Sequence, residues 1–283
     1  MANLRVNKIA AVGVSTENTG SVFFDGTGDY LSVQSSTDFD FGTGDFTIEL
    51  YANLGNLTSR NIFSRNDSNP SNTGILLWQN GSSQLQWYSS VGNTTGVITV
   101  TTPLTLHEWA HIAVSRESNT TRLFANGVLI GSTSDNTDIS GDSALIVGST
   151  FAGDGYYLKG YISNLRVCKG HAVYTSNFVV PTTELEVHPE TVLLACYDGE
   201  NIFADKTGRH IIAAYGDRLS SPTPTATDSP VGVTTENPGL IRSVDATNGP
   251  VLKGNFSSNS QNWLTLPKGT TTDRNRTGGR GIS

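Results

Sequence analysis

The chain has 283 residues, a formal net charge of −7, 36% hydrophobic and 15% charged residues, and 30 glycines. That is enough for one large sandwich or two modest domains. The acidic balance removes the electrostatic basis for binding DNA or RNA, which rests on Lys and Arg neutralising phosphates. The load of Gly, Ser, Thr and Asn, with a single methionine, predicts short strands joined by turns, with few helices and little disorder.

No stretch approaches the roughly 18 apolar residues that span a bilayer, so no membrane insertion is expected. The opening MANLRVNKIAAVGV is too weakly apolar for a signal peptide and predicts a protein outside the general secretory route. Cys168 and Cys196 sit in apolar, strand-like runs and are expected to be buried, reduced thiols.

In chain order, SVFFDGTGDYLSV reads as strand, turn, strand: Val22 and Phe24, then Asp25 to Asp29, then Tyr30, Leu31 and Val33, predicting a hairpin. In DFTIELYANL, Phe46, Ile48 and Leu50 alternate with Thr47 and Glu49, the pattern of a strand buried on one face. Glu49 is accordingly expected on the solvated face. The stretch IFSRNDSNPSNTGILLWQNGSSQLQWYSS predicts a three-stranded meander broken by Asn, Ser, Gly and Pro. Next, HEWAHIAVSRESNTTRLFANGVLIG supplies a strand with Trp109, Ile112 and Val114 and another with Leu123 and Phe124, closed by a tight turn at Ala125-Asn126-Gly127. Trp109 is expected in the core. The last strand of this run, YYLKGYISNLRVCKG, places Tyr157, Ile162, Leu165 and Val167 in the core. About ten short strands without helical crossovers predict an all-β, two-sheet antiparallel jelly-roll sandwich.

The ordered set DGTGDYLSV, FGTGDFTIELYANL, HEWAHIAVSRESNTTRLFANGVLIG and YYLKGYISNLRVCKGHAVYTSNFVVP resembles the laminin-G-like, concanavalin A-like domain in the form found in bacteriophage structural proteins. The resemblance covers roughly residues 20 to 181. It implies a jelly roll used for glycan binding, adhesion or scaffolding, with catalysis confined to branches that carry paired acids on one strand. The function it implies is a non-catalytic virion structural protein, a capsid decoration or a tail-fibre or adhesin component, made in the host cytoplasm and contacting other virion proteins and itself as a homo-oligomer. The alternative it implies is a receptor module for host-surface polysaccharide.

The organisation expected is an N-terminal arm (1–20), the sandwich (21–190), a strand pair completing or extending it (191–219), a Pro/Thr/Ser-rich linker (220–239), and a small C-terminal β appendage with a flexible basic tail (240–283). VGVSTENTG at 12–20 recurs as VGVTTENPG at 231–239, an echo of the chain's own beginning.

Signatures of a serine-nucleophile elbow, a CxxC redox pair and a phosphate-cradling loop are missing from the sequence. The ExDxxE arrangement of lectin-like hydrolases, which sets two carboxylates across a glycosidic bond, is missing too. His107 and His111 lie four apart, a spacing that gathers ligands on a helix but not on a strand. No cofactor is expected; calcium is the metal the resemblance allows, with the loop carboxylates Asp135, Asp138, Asp142 and Asp154 as hard oxygen donors suited to it, though none forms a loop pattern strict enough to count as a site. For sugar contact the candidates are Trp78, Trp87, Tyr88 and Tyr156, aromatics beside Asn- and Ser-rich loops.

Overall fold

A computed structural model describes residues 20–65, 74–90, 97–101, 103–141, 143–150, 156–199 and 201–216, and the backbone of 225–228, 241–245 and 249–252. The strands are β1 (Gly20–Asp25), β2 (Tyr30–Val33), β3 (Phe46–Leu54), β4 (Arg60–Arg65), β5 (Ile75–Gln79), β6 (Gln84–Tyr88), β7 (Ile98–Thr101), β8 (Trp109–Glu117), β9 (Thr120–Ala125), β10 (Val128–Ser134), β11 (Leu145–Val147), β12 (Lys159–Lys169), β13 (Thr191–Ala195), β14 (Ile212–Tyr215), β15 (Thr225–Asp228), β16 (Ile241–Asp245) and β17 (Gly249–Leu252). No α-helix occurs among the described residues, hence none long and apolar enough to cross a membrane.

Two antiparallel sheets form the sandwich. The first runs β10-β9-β8-β3-β12-β1-β15, with β13 also on β12; the second runs β14-β2-β11-β4-β5-β6-β7. Alternation dictates the packing, because successive side chains of a strand point to opposite faces. On β3, Phe46, Ile48, Leu50, Ala52 and Leu54 enter the core, where they meet Phe63, Leu77, Leu85 and Trp87 of the second sheet. The fold is therefore the all-β jelly-roll sandwich that the sequence predicts. Residues 1–232 and 233–283 are two compact units, and within the second β16 and β17 pair as an antiparallel hairpin.

The meander holds, with β4, β5 and β6 paired in succession. So does the Asn126-Gly127 turn. Both residues take positive φ (49° and 76°), the left-handed backbone that a two-residue hairpin between β9 and β10 demands.

Other local expectations are corrected. The first, DGTGD, does not close a hairpin. Asp25 Oδ1 accepts from Thr27 N at 2.7 Å, a self-contained turn, yet β1 pairs with β12 while β2 pairs with β11 and β14. Turn chemistry reverses the chain without fixing which sheet receives the next strand. Tyr157 is only half-buried, and its neighbour Leu158 takes the core position. Trp109 is opposite Asn53, half-buried on the outer face of the first sheet; Ile112 and Val114 are core as expected.

The segment 191–219 feeds both sheets, β13 joining β12 and β14 joining β2. Within the stretch read as a linker, β15 pairs with β1. The N-terminal arm before Gly20, both copies of the repeat (bar Gly20, which opens β1) and the basic tail lie outside the described residues.

Candidate functional site

The two outer faces of the sandwich differ. On the first sheet, residues 170–190 fold back over β3, β8 and β9. Thr47 Oγ1 donates to His171 O and accepts from Val173 N at 2.8 Å. Phe178 N donates to Gly127 O, Leu129 N to Asn177 Oδ1, and Tyr51 Oη to Pro181 O. Tyr174 and Phe178, stacked at 3.6 Å, pack on Ala113 and Phe124.

Beneath this strap lies Glu49, 1% exposed. Its placement corrects the solvated position expected from alternation: the residue does face away from the core, but the strap covers it. Arg166 Nε donates to its Oε1 at 2.8 Å, Tyr174 Oη to its Oε2 at 2.7 Å, and His111 Nε2 lies 3.0 Å from the same oxygen. Burial pushes the Glu49 carboxyl up, but the hydrogen bond to His111, the Arg166 charge and Tyr174 together outweigh it and hold the group below its ordinary range. Burial, then the Glu49 charge, raises both Tyr51 and Tyr174. The cluster is acid–base in composition but sealed from substrate, so it acts as a clasp between strap and sheet.

The letters from His107 to His111 spell HExxH, a zinc signature whose histidines meet only on a helix. Here His107 is exposed with φ 61°, and His111 points into the clasp from β8. His107 sits in the turn before β8 while His111 lies within the strand with its ring held by Glu49, so the two lack the shared helical face on which such a pair binds an ion.

The second sheet's outer face bears different chemistry. Leu77, Leu85 and Trp87 point inward, and so Trp78, Gln86 and Tyr88 point outward. Trp78 is opposite Gln86, which is opposite Thr99. The indole Nε1–H of Trp78 donates to Gln86 Oε1 at 2.8 Å, Asn80 Nδ2 donates to Gln84 Oε1 and Gln86 Oε1, and Gln86 Nε2 donates to Thr99 Oγ1. The Tyr156 ring, 46% exposed, meets Trp78 edge to face at 6.1 Å. No charged residue occurs in β5, β6 or β7. The result is a half-exposed indole fixed by an amide relay, flanked by hydroxyls and amides that both donate and accept.

Three of the four aromatic candidates thus share this face. Trp87 does not: it is fully buried and donates its Nε1–H to Ser89 Oγ, so it offers no surface for a sugar. Strand alternation alone excludes Trp87 and Tyr88 from one face, a signal available in the sequence.

Of the four calcium candidates the structure describes Asp135 and Asp138. Asp135 is 2% exposed, and its carboxylate accepts from Ser89 Oγ, Thr121 Oγ1 and Thr137 N. Burial raises its pKa, but those hydrogen bonds outweigh it and hold the group low. Its oxygens serve the sandwich, which removes it from the ligand set. Asp138 is exposed, and Asp142 and Asp154 lie outside the described residues. Among the described residues no group of three or more acidic, His or Cys side chains is placed to hold a metal. Both cysteines are free and buried, with the Cys196 thiol pushed up to about 12 by burial.

Residues 25–172 match the family model Laminin_G_3, the concanavalin A-like lectin/glucanases superfamily. The chain belongs to this superfamily. Among solved structures, a "putative carbohydrate binding protein" from Bacteroides ovatus superposes on the lectin-like sandwich with a TM-score of 0.56 at 18% identity. The alignment covers 78% of this chain and 61% of that one, so the chain spans less than two thirds of its relative. A heptameric SAP-like pentraxin from Limulus polyphemus aligns at 14% identity and TM-score 0.44, over 72% of this chain and 98% of its own. A domain of an extracellular arabinanase from Geobacillus stearothermophilus, in complex with arabinotriose, aligns at 17% identity and TM-score 0.41, over 53% and 71%. No curated protein matches the chain.

Proposed function

We propose that this lectin-like sandwich is a non-catalytic glycan-binding module whose contact surface is the outer face of the second sheet. The observation that carries the reading is the presentation of Trp78: half-buried on the outer face, in edge-to-face contact with Tyr156, and hydrogen-bonded through its Nε1–H to Gln86. A fixed aromatic plane flanked by donor–acceptor amides is what a pyranose requires, because its ring presents C–H groups to the aromatic and hydroxyls to the polar rim. The superfamily match and the sandwich shared with the Bacteroides ovatus protein support the same reading. Catalysis has no support from the clasp, since Glu49 is held by three partners beneath the strap while a glycosidase needs two carboxylates open to the bond.

The test is binding to an array of neutral and acidic polysaccharides. Retention is expected, with Trp78→Ala weakening it about tenfold or more while Trp109→Ala, on the opposite sheet, leaves it unchanged. Silence across the array, or equal binding by Trp78→Ala, overturns the reading. The virion setting, the homo-oligomer and the role as capsid decoration or fibre component remain proposals carried by the sequence resemblance alone; co-sedimentation of the protein with particles would test them.

A further inference from the structure

The aromatic surface extends well beyond Trp78. On the far edge of the same sheet Tyr215 of β14 is opposite Tyr30 of β2. Their rings stack at 4.6 Å with planes 9° apart. Tyr30 lies on the outer side of the sheet because its neighbour Leu31 enters the core, but it is only 8% exposed beside Tyr215, which is 47% exposed.

Cross-strand register places this pair and Trp78 in one row. The core-facing row reads Ala214, Leu31, Val147, Phe63, Leu77 and Trp87 across successive strands. One step along the strands, the adjacent row begins with Tyr215 and Tyr30. It continues through Gly148, which donates its N–H to Ile62 O at 3.0 Å, and after the β4 bulge through Asn61 opposite Trp78. It ends with Gln86 and Thr99.

The middle of the row is filled by residues 156–158. Leu158 N donates to Gly148 O at 2.8 Å, and Asn61 N donates to Tyr156 O at 3.0 Å, so this short stretch sits between the ends of β11 and β4. Gly148 is required there. Its φ is 86°, and a Cβ would stand 2.8 Å from the Phe24 ring. With Leu158 taken into the core, Tyr156 reaches Trp78 on one side, and Tyr157 lies between it and the Gly148 end of β11, the strand next to Tyr30.

We infer that Tyr215, Tyr157, Tyr156 and Trp78, with Tyr30 packed against Tyr215 as its support, line one aromatic track across the second sheet, and that its ligand is the interior of an extended polysaccharide chain running perpendicular to the strands. From β14 to β5 the track crosses four strand intervals, roughly 19 Å, more than one sugar ring covers. A site for a terminal sugar needs one platform with converging polar groups, whereas repeated rings along a line match a polymer that offers an apolar patch at each unit. Amides and hydroxyls gather at the Trp78 end, through Asn80, Gln84, Gln86 and Thr99, and no charge occurs in β5 to β7. That end therefore suits a neutral sugar.

This inference rests on the glycan-binding reading, and calorimetry separates their failures. The probes are linear oligosaccharides, from disaccharide to hexasaccharide, of each polysaccharide that the array retains. Affinity is expected to rise with length up to the span of the track. Tyr215→Ala, at an exposed edge position, is expected to weaken the hexasaccharide about fivefold to tenfold and leave the disaccharide unchanged, with its circular dichroism intact. Equal affinity for disaccharide and hexasaccharide, with binding lost in Trp78→Ala but insensitive to Tyr215→Ala, overturns the track and keeps the single platform. Absence of any retained polysaccharide overturns both.

Discussion

Replacing Glu49 with alanine is expected to cost about 3–5 kcal/mol of unfolding free energy, the range for removing one partner of a buried ion pair. The substitution leaves Arg166, whose side chain is 4% exposed, without the carboxylate that neutralises it, and His111 without its hydrogen-bond partner. It also releases Tyr174 Oη, so the strap loses one side-chain anchor to β3 while keeping the Thr47 and Tyr51 hydrogen bonds and the stacked rings. Urea unfolding followed by circular dichroism measures the loss, and limited proteolysis within 170–190 reports the loosened strap. A cost under about 1 kcal/mol, the size of an exposed salt bridge, would show that the clasp is not closed in solution.

The same carboxylate sets an acid limit on stability. Its folded-state pKa lies below its ordinary value of 4.5. Its contribution is therefore complete above that value and lost as pH falls through the lower, folded pKa. The stability difference between the native protein and Glu49→Gln is expected to be constant near neutrality and to shrink in that acid window.

Truncating Trp87 to alanine is the other large effect, again about 3–5 kcal/mol for an aromatic removed from a packed core. The indole is fully buried, its ring lies 6.0 Å from that of Phe46 across the sandwich, and its Nε1–H begins a relay through Ser89 Oγ to the Asp135 carboxylate. Truncation opens a cavity and leaves Ser89 without its donor. Trp87→Phe is expected to lose less, because the ring volume largely remains, and to bind glycan as the native chain does. Weakened binding in that variant, with stability little changed, would return Trp87 to the binding surface.

These two residues mark what the sequence makes legible. Strand faces on β3 and β8 follow from period-two alternation, while β12 changes step at the irregularity between Ser163 and Arg166; the Asn126-Gly127 turn follows from its backbone demands, so the sandwich and much of its core are readable without coordinates. Glu49 was not, because local alternation can say only that a side chain leaves the core. What then covers it depends on residues more than a hundred positions later. The DGTGD turn fails for the same reason, as its local chemistry is silent on which sheet the partner strand joins.

The candidate surface was half legible. Trp78, Tyr88 and Tyr156 are named by composition near polar loops. The exclusion of Trp87 was open to alternation along β6, whereas the common face and the contribution of Tyr157 and Tyr215 come from cross-strand register, which no short stretch of sequence carries.

The central claim, that the second sheet's outer face meets the glycan through Trp78, is tested most directly by heteronuclear NMR of the four tryptophan indole N–H groups. Titration with an array-selected hexasaccharide is expected to shift the Trp78 resonance, identified by its disappearance in Trp78→Phe, and to leave those of Trp87 and Trp109 in place. Movement of the Trp109 resonance with Trp78 unaffected would place the ligand on the opposite sheet and contradict the account.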